Sequence, residues 1–136
     1  MKKSSLKHAR TCVYNVNYHI VWSVKYRKDV LDVDIEMYLK ELFQEIAIEK
    51  GFEVIQIEVG EQDHIHLFAS AHPKVAPSYI VKMLKGISAR KSFIQFPQLR
   101  KKLWGGHLWS NSFYIETIGS ISEETIRKYI ENQRKE

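Results

Sequence analysis

The chain has one cysteine, Cys12. A lone thiol excludes an internal disulfide and any thiolate-cluster zinc site, and it suits a reducing compartment. Nor is there an apolar run approaching the length of a membrane span, and the basic start, Met1 to Arg10, lacks the apolar core of a signal peptide. A cytoplasmic protein with no membrane partner is therefore expected. No internal repeat or low-complexity linker breaks the sequence, so its 136 residues, 44% of them hydrophobic, are expected to form one domain over 1–136, with 1–10 as a loose basic arm. Such a chain can bury a real core but is too short for a barrel enzyme. Acidic residues are also in deficit, with 16 Asp and Glu against 21 Lys and Arg, a formal charge of +5, and 12% aromatics. That balance favours a polyanionic partner such as nucleic acid.

Residues alternate from Val13 to Val24, with Tyr14, Val16, Tyr18, Ile20, Trp22 and Val24 on one face and Asn15, Asn17 and His19 on the other. This predicts a strand with one apolar face. Asp32 or Asp34 can cap a helix whose Ile35, Leu39, Leu42, Phe43 and Ile46 follow the 3.6 period, with Gly51 closing it. Phe52 to Val59 and His64 to Ala71 read as two strands of a hairpin, joined by Gly60-Glu61-Gln62-Asp63. Pro77 suits the first turn of a second helix with the stripe Ile80, Met83, Leu84 and Ile87. A basic loop, Arg100-Lys101-Lys102, and a turn at Gly105-Gly106 follow. A fourth strand is expected from Leu108 to Ile118, and Ser120-x-x-Glu123 can cap a last helix ending near Gln133. The order strand, helix, hairpin, helix, strand, helix predicts an α+β fold, an antiparallel sheet with helices mainly on one face.

The pattern richest in chemistry is His64-Ile65-His66. On a strand, residues i and i+2 share a face, so the two imidazoles converge while Ile65, Leu67 and Ala69 point towards the helices. Neutral imidazole is the commonest metal ligand at physiological pH, and two on one face need only a third ligand and open positions to activate a substrate. His8, His19, His72 and His107 show no spacing that would close a zinc site, which favours an open magnesium or manganese site. The bland reading of the pair is two half-buried strand histidines. Tyr129 and Gln133, four apart on the last helix, sit one above the other and could face that metal as a unit. Tyr129 could equally be a packing residue at the border of the Ile126 and Ile130 stripe.

Basic residues recur beside aromatic ones: Lys25-Tyr26-Arg27-Lys28, Lys82 with Lys85, Arg90-Lys91 and Arg100-Lys101-Lys102 interleave with Tyr26, Tyr79, Phe93 and Trp104. Single-strand binders combine phosphate contacts with aromatic platforms for the bases. Lys25, Arg27, Lys82, Lys85 and Arg90 are the expected DNA-binding set, although any one cluster could be ordinary solvated surface.

Taken together, these segments resemble the single-strand DNA transposases of small bacterial and archaeal insertion sequences, the tyrosine members of the HUH endonuclease superfamily. The resemblance runs through Tyr18-His19-Ile20-Val21-Trp22 with Lys25-Tyr26-Arg27, Asp63-His64-Ile65-His66-Leu67, Pro73-Lys74 and Lys85-Gly86-Ile87-Ser88-Ala89-Arg90. It continues in Leu108-Trp109 with Phe113-Tyr114, in Gly119, and in Tyr129-Ile130-Glu131-Asn132-Gln133. It implies an RRM-like or ferredoxin-like sheet with a C-terminal catalytic helix, a homodimer, and cleavage and rejoining of single-stranded DNA at hairpin-bearing element ends. By position, His64 and His66 match the family's metal-binding pair for Mg2+ or Mn2+, Gln133 its third ligand, and Tyr129 its nucleophile, which would form a 5′-phosphotyrosine link. The Gly105-Gly106-His107 insertion departs from the family pattern. Two other functions fit the same residues: a non-catalytic single-strand or RNA-binding module of RRM type, and a domesticated relative that processes chromosomal repeats.

Overall fold

A computed structural model of the chain describes residues 16–119. The elements in order are β1 (Val16–Ser23), α1 (Val33–Lys50), β2 (Glu53–Gly60), β3 (His64–Ala71), α2 (Pro77–Gln95), the short α3 (Gln98–Lys102) and β4 (Tyr114–Ile118). The four strands form one antiparallel sheet in the order β2-β3-β1-β4. With α1 after β1 and α2 after β3, this is the split β-α-β unit of ferredoxin-like and RRM domains. No helix among the described residues is long and apolar enough to cross a membrane.

Local chemistry sets the element ends. Asp32 accepts a hydrogen bond from the Ile35 N–H at 3.0 Å and so caps α1, and Gly51 ends it in the left-handed conformation at φ 88°. Pro77 opens α2, where its missing N–H costs no helical bond. Both helices lie on one face of the sheet. Leu39, Leu42 and Phe43 of α1 and Ile80 and Leu84 of α2 share one core with Tyr18, Ile20 and Trp22 of β1 and Ile65, Leu67 and Ala69 of β3. Phe43 is fully buried there, so its replacement by alanine should cost about 3–5 kcal/mol.

The period-2 alternation sends Asn17, His19, His64, His66 and Phe68 to the other face. The turn between β2 and β3 keeps this register. Glu61 and Gln62 both take positive φ, at 49° and 59°, as the central residues of a type I′ turn do, and Asp63 N–H closes the turn on the Gly60 carbonyl at 3.0 Å. Without glycine or asparagine at those positions, the turn is held from outside. The Gln62 carbonyl accepts from Leu31 N–H at 2.9 Å and the Asp63 carbonyl from Val24 N–H at 2.8 Å.

Three expectations need correction or fall outside the described residues. The strand expected from Leu108 covers only Tyr114–Ile118. Before it, Trp109 turns into the core and donates to the Ser88 hydroxyl at 2.9 Å, while the Lys85 ammonium donates to the carbonyls of Ser110 and Ser112 at 2.7 and 3.2 Å. Those carbonyls are engaged by a side chain rather than by a strand ladder. Arg100-Lys101-Lys102 is not a loop but the end of α3, anchored by buried Leu99. The basic arm, residues 13–15 of the first strand, and the last helix with Ser120, Glu123, Tyr129 and Gln133 lie outside the described residues.

Candidate active site

His64 and His66 stand side by side at the start of β3, their ring centroids 5.0 Å apart, in a cleft of about 540 Å³. Arg27, Glu61, Ser110, Ser112, Phe113 and Tyr114 line the same cleft, so the β2–β3 turn, the segment after β1 and the approach to β4 converge on it. His64 is half-buried, and its Nδ1 lies 2.6 Å from Asp63 Oδ1. Asp63 also accepts from the Arg27 guanidinium at 3.3 and 3.5 Å. To make that contact, Tyr26 and Arg27 adopt consecutive positive φ values of 62° and 54°, strain that the backbone bond from Lys25 N–H to the Leu108 carbonyl at 2.8 Å helps to hold.

His66 lies deeper, only 6% exposed, with its Nδ1 3.3 Å from His19 Nε2. His19 in turn has its Nδ1 3.3 Å from Glu116 Oε2 and stacks on His66 and Phe68. Burial, with His64 and His19 adding to it, pushes the His66 pKa down to about 4. Burial also lowers His19, against the opposing pull of Glu116. Both rings are therefore neutral near pH 7, and a neutral imidazole keeps the lone pair that a metal needs.

The residues present fit a divalent cation. Two adjacent imidazoles, one kept neutral by burial and one hydrogen-bonded to a carboxylate, have the donor set and outer support typical of a metal site. Among the described residues no group of three His, Cys, Asp or Glu could hold a metal. Two imidazoles alone leave coordination positions to be filled, and oxygen ligands suit them.

The expected DNA-binding residues divide. Arg27 lines the histidine cleft, whereas Lys85 and Arg90 line a neighbouring groove between α2 and residues 106–111. Lys85 is half-buried and bound to two carbonyls, and burial lowers its pKa. Lys82 is exposed on α2, and the Lys25 ammonium sits 5.5 Å from the Tyr26 ring. Of the aromatic platforms, Tyr26, Tyr79 and Trp104 are exposed, but Phe93 is in the core with Arg100 stacked on it at 4.8 Å. His19 and Glu116 are the site residues that sequence reasoning missed. The signal for His19 was its place on the polar face of β1, which alternation gives, but that Glu116 of β4 lies opposite it is not written in any local spacing.

The family described as "Transposase IS200 like" matches residues 12–133. This chain belongs to that family. The IS200-like transposase is 46% identical over 128 residues to the ISDra2 transposase TnpA of Deinococcus radiodurans, covering 94% of this chain and 91% of that protein. It is 28% identical over 134 residues to the transposase for insertion sequence element IS200 of Salmonella typhimurium, covering 98% and 85%. Among solved structures it superposes with a TM-score of 0.77 on a Deinococcus radiodurans protein assigned as a transposase, at 39% identity over 93% of this chain and 97% of that one. A REP-associated tyrosine transposase bound to a REP hairpin gives a TM-score of 0.56 at 13% identity over 91% and 67%, a likeness of fold alone.

Proposed function

We propose that this IS200-like transposase cleaves and rejoins single-stranded DNA by transesterification, with Tyr129 as nucleophile and His64, His66 and Gln133 holding a divalent cation, Mg2+ or Mn2+. The observation that carries the reading is the pair of adjacent imidazoles opening one strand in a cleft, one buried and neutral, the other on a carboxylate. The family match, which reaches past Tyr129 to Gln133 and spans 12–133, supports the wider assignment and a single catalytic domain.

A cation bound there supplies Lewis-acid polarisation of the scissile phosphate oxygens. Tyr129 attacks phosphorus in line: its Oη–P bond forms as the P–O3′ bond breaks, the phenol loses its proton, and the departing 3′ oxygen takes one up. The products are a 5′-phosphotyrosine and a free 3′ hydroxyl, and reversal by another 3′ hydroxyl joins new ends. Arg27, beside the histidines, supplies positive charge for the DNA backbone, with Lys25, Lys82 and Arg90 extending it. Lys85 acts in that surface by holding Ser110 and Ser112. With one nucleophilic tyrosine per chain, an element with two ends needs two protomers, so the active form is a homodimer acting on hairpin-bearing ends. The 46% identity to the ISDra2 transposase TnpA supports a mobile-element role.

The test is incubation with single-stranded DNA carrying the element end and Mg2+ or Mn2+, followed by boiling in detergent. A covalent protein–DNA adduct is expected, absent in Tyr129→Phe and with chelator. An adduct that survives Tyr129→Phe removes the nucleophile from this scheme. His64→Ala and His66→Ala should each lower cleavage by at least about tenfold, and undiminished cleavage in Mg2+ removes the metal role. A non-catalytic binder would instead give salt-sensitive DNA binding, indifference to chelator and no adduct in any variant.

A further inference from the structure

We propose that Glu116 and His19 are positioning residues for His66, forming a hydrogen-bonded relay across three strands that fixes the His66 proton on Nδ1 and leaves Nε2 bare for a cation. The proposal rests on the metal-assisted reading above. Its elements are adjacent strands in sequence of pairing: Glu116 of β4 stands directly opposite His19 of β1, and His19 lies diagonally beside His66 of β3, whose own opposite is Val21. Each link spans 3.3 Å.

The direction of the bonds follows from the inventory of protons. An ionised carboxylate only accepts, so the first link is His19 Nδ1–H donating to Glu116. A neutral imidazole with its proton on Nδ1 has none on Nε2. The second link must then point the same way, towards the carboxylate, with His66 Nδ1–H donating to His19 Nε2. The last nitrogen, His66 Nε2, keeps its lone pair. Asp63 imposes the same state on His64 in one step, accepting from Nδ1–H at 2.6 Å. Both histidines therefore present Nε2, one oriented by the adjacent residue and the other by a carboxylate two strands away. In water the Nε2–H form of a histidine side chain predominates, so the predicted state is the one solvent would not select.

The measurement is long-range 1H–15N NMR of metal-free protein labelled at histidine nitrogens, with His66 assigned by its loss in His66→Gln. Wild type should show the proton on Nδ1. His19→Leu should move His66 towards the Nε2–H form and weaken Mn2+ binding by about ten- to a hundredfold. His19→Gln should restore both, because one amide can accept from His66 through its carbonyl and donate to Glu116 through its nitrogen. Glu116→Gln, which removes the charge that sets the direction, should shift His66 as His19→Leu does. Wild-type His66 carrying its proton on Nε2 overturns the proposal, as does a folded His19→Leu with an unchanged tautomer, or a folded His19→Gln no better than His19→Leu. If the tautomer behaves as predicted but wild type binds no Mn2+, the relay stands and the metal-assisted function fails.

Discussion

His64 and His66 share one strand face, yet they are supported in opposite ways. His64 sits at the mouth of the hairpin, half-buried, fixed by the residue before it and by the space above Gly60, and its surroundings are assembled within a few residues of chain. His66, two residues on, is buried and is held by His19 and Glu116, 47 and then 97 positions apart along each link. One imidazole depends on a turn; the other depends on the whole sheet closing in register. The two supports should thus fail separately, and substitutions that break one should spare the other.

The largest separation is expected from Gly60→Ala. Gly60 pairs opposite His64, and a Cβ there would run into the imidazole Nε2 and Cε1. The Gly60 backbone is outside the left-handed region, so alanine is tolerated by the chain itself and the ring must move instead. Mn2+ affinity should fall on the order of ten- to a hundredfold, with DNA cleavage following it, while the His66 tautomer stays as in wild type. A titration showing unchanged Mn2+ affinity would mean that His64 does not need the position it holds.

The same contrast explains what could be read from the sequence. The faces of β1 and β3, the Asp32 cap, the Gly51 stop and the Pro77 start depend on neighbours within a few residues, and all appear in the structure as the spacing predicts. So does the placement of His64 and His66 on one face. His19 and Glu116 were not legible as partners because alternation fixes a residue's face but not which strand lies across from it. The start of the strand expected over 108–118 differs for a similar reason: the carbonyls of Ser110 and Ser112 meet Lys85, 25 and 27 positions away, and a local apolar pattern carries no trace of that capture.

A smaller effect should appear in the pH dependence of stability of the metal-free protein. His66, pushed down to about 4 by burial and by its neighbours His64 and His19, binds fewer protons folded than unfolded between that value and the ordinary 6.5. Because the unfolded state takes up the proton first, stability is fully present above about 6.5 and is lost as pH falls towards 4. His19 shifts in the same direction, while Glu116 opposes its shift. Urea denaturation at a series of pH values should show a steeper decline for wild type than for His66→Gln over that window. Equal slopes would mean that His66 is no more protected from protons in the fold than in the open chain.

The smallest effect concerns the outer support of His64. Arg27 reaches Asp63 with a side chain that is 60% exposed, so the pair contributes at most about 1 kcal/mol to stability. Arg27→Ala should leave the thermal midpoint of the metal-free protein nearly unchanged, and Asp63 should still accept from His64, since that bond is the shorter of the two. Mn2+ affinity should consequently change by less than about threefold, within what a loss of that size permits, whereas single-stranded DNA binding should weaken together with its salt dependence as one phosphate contact is lost. A large loss of metal affinity with an unchanged salt slope would reverse the assignment: Arg27 would then belong to the support of His64, and that half-buried imidazole would depend on more of the fold than its turn.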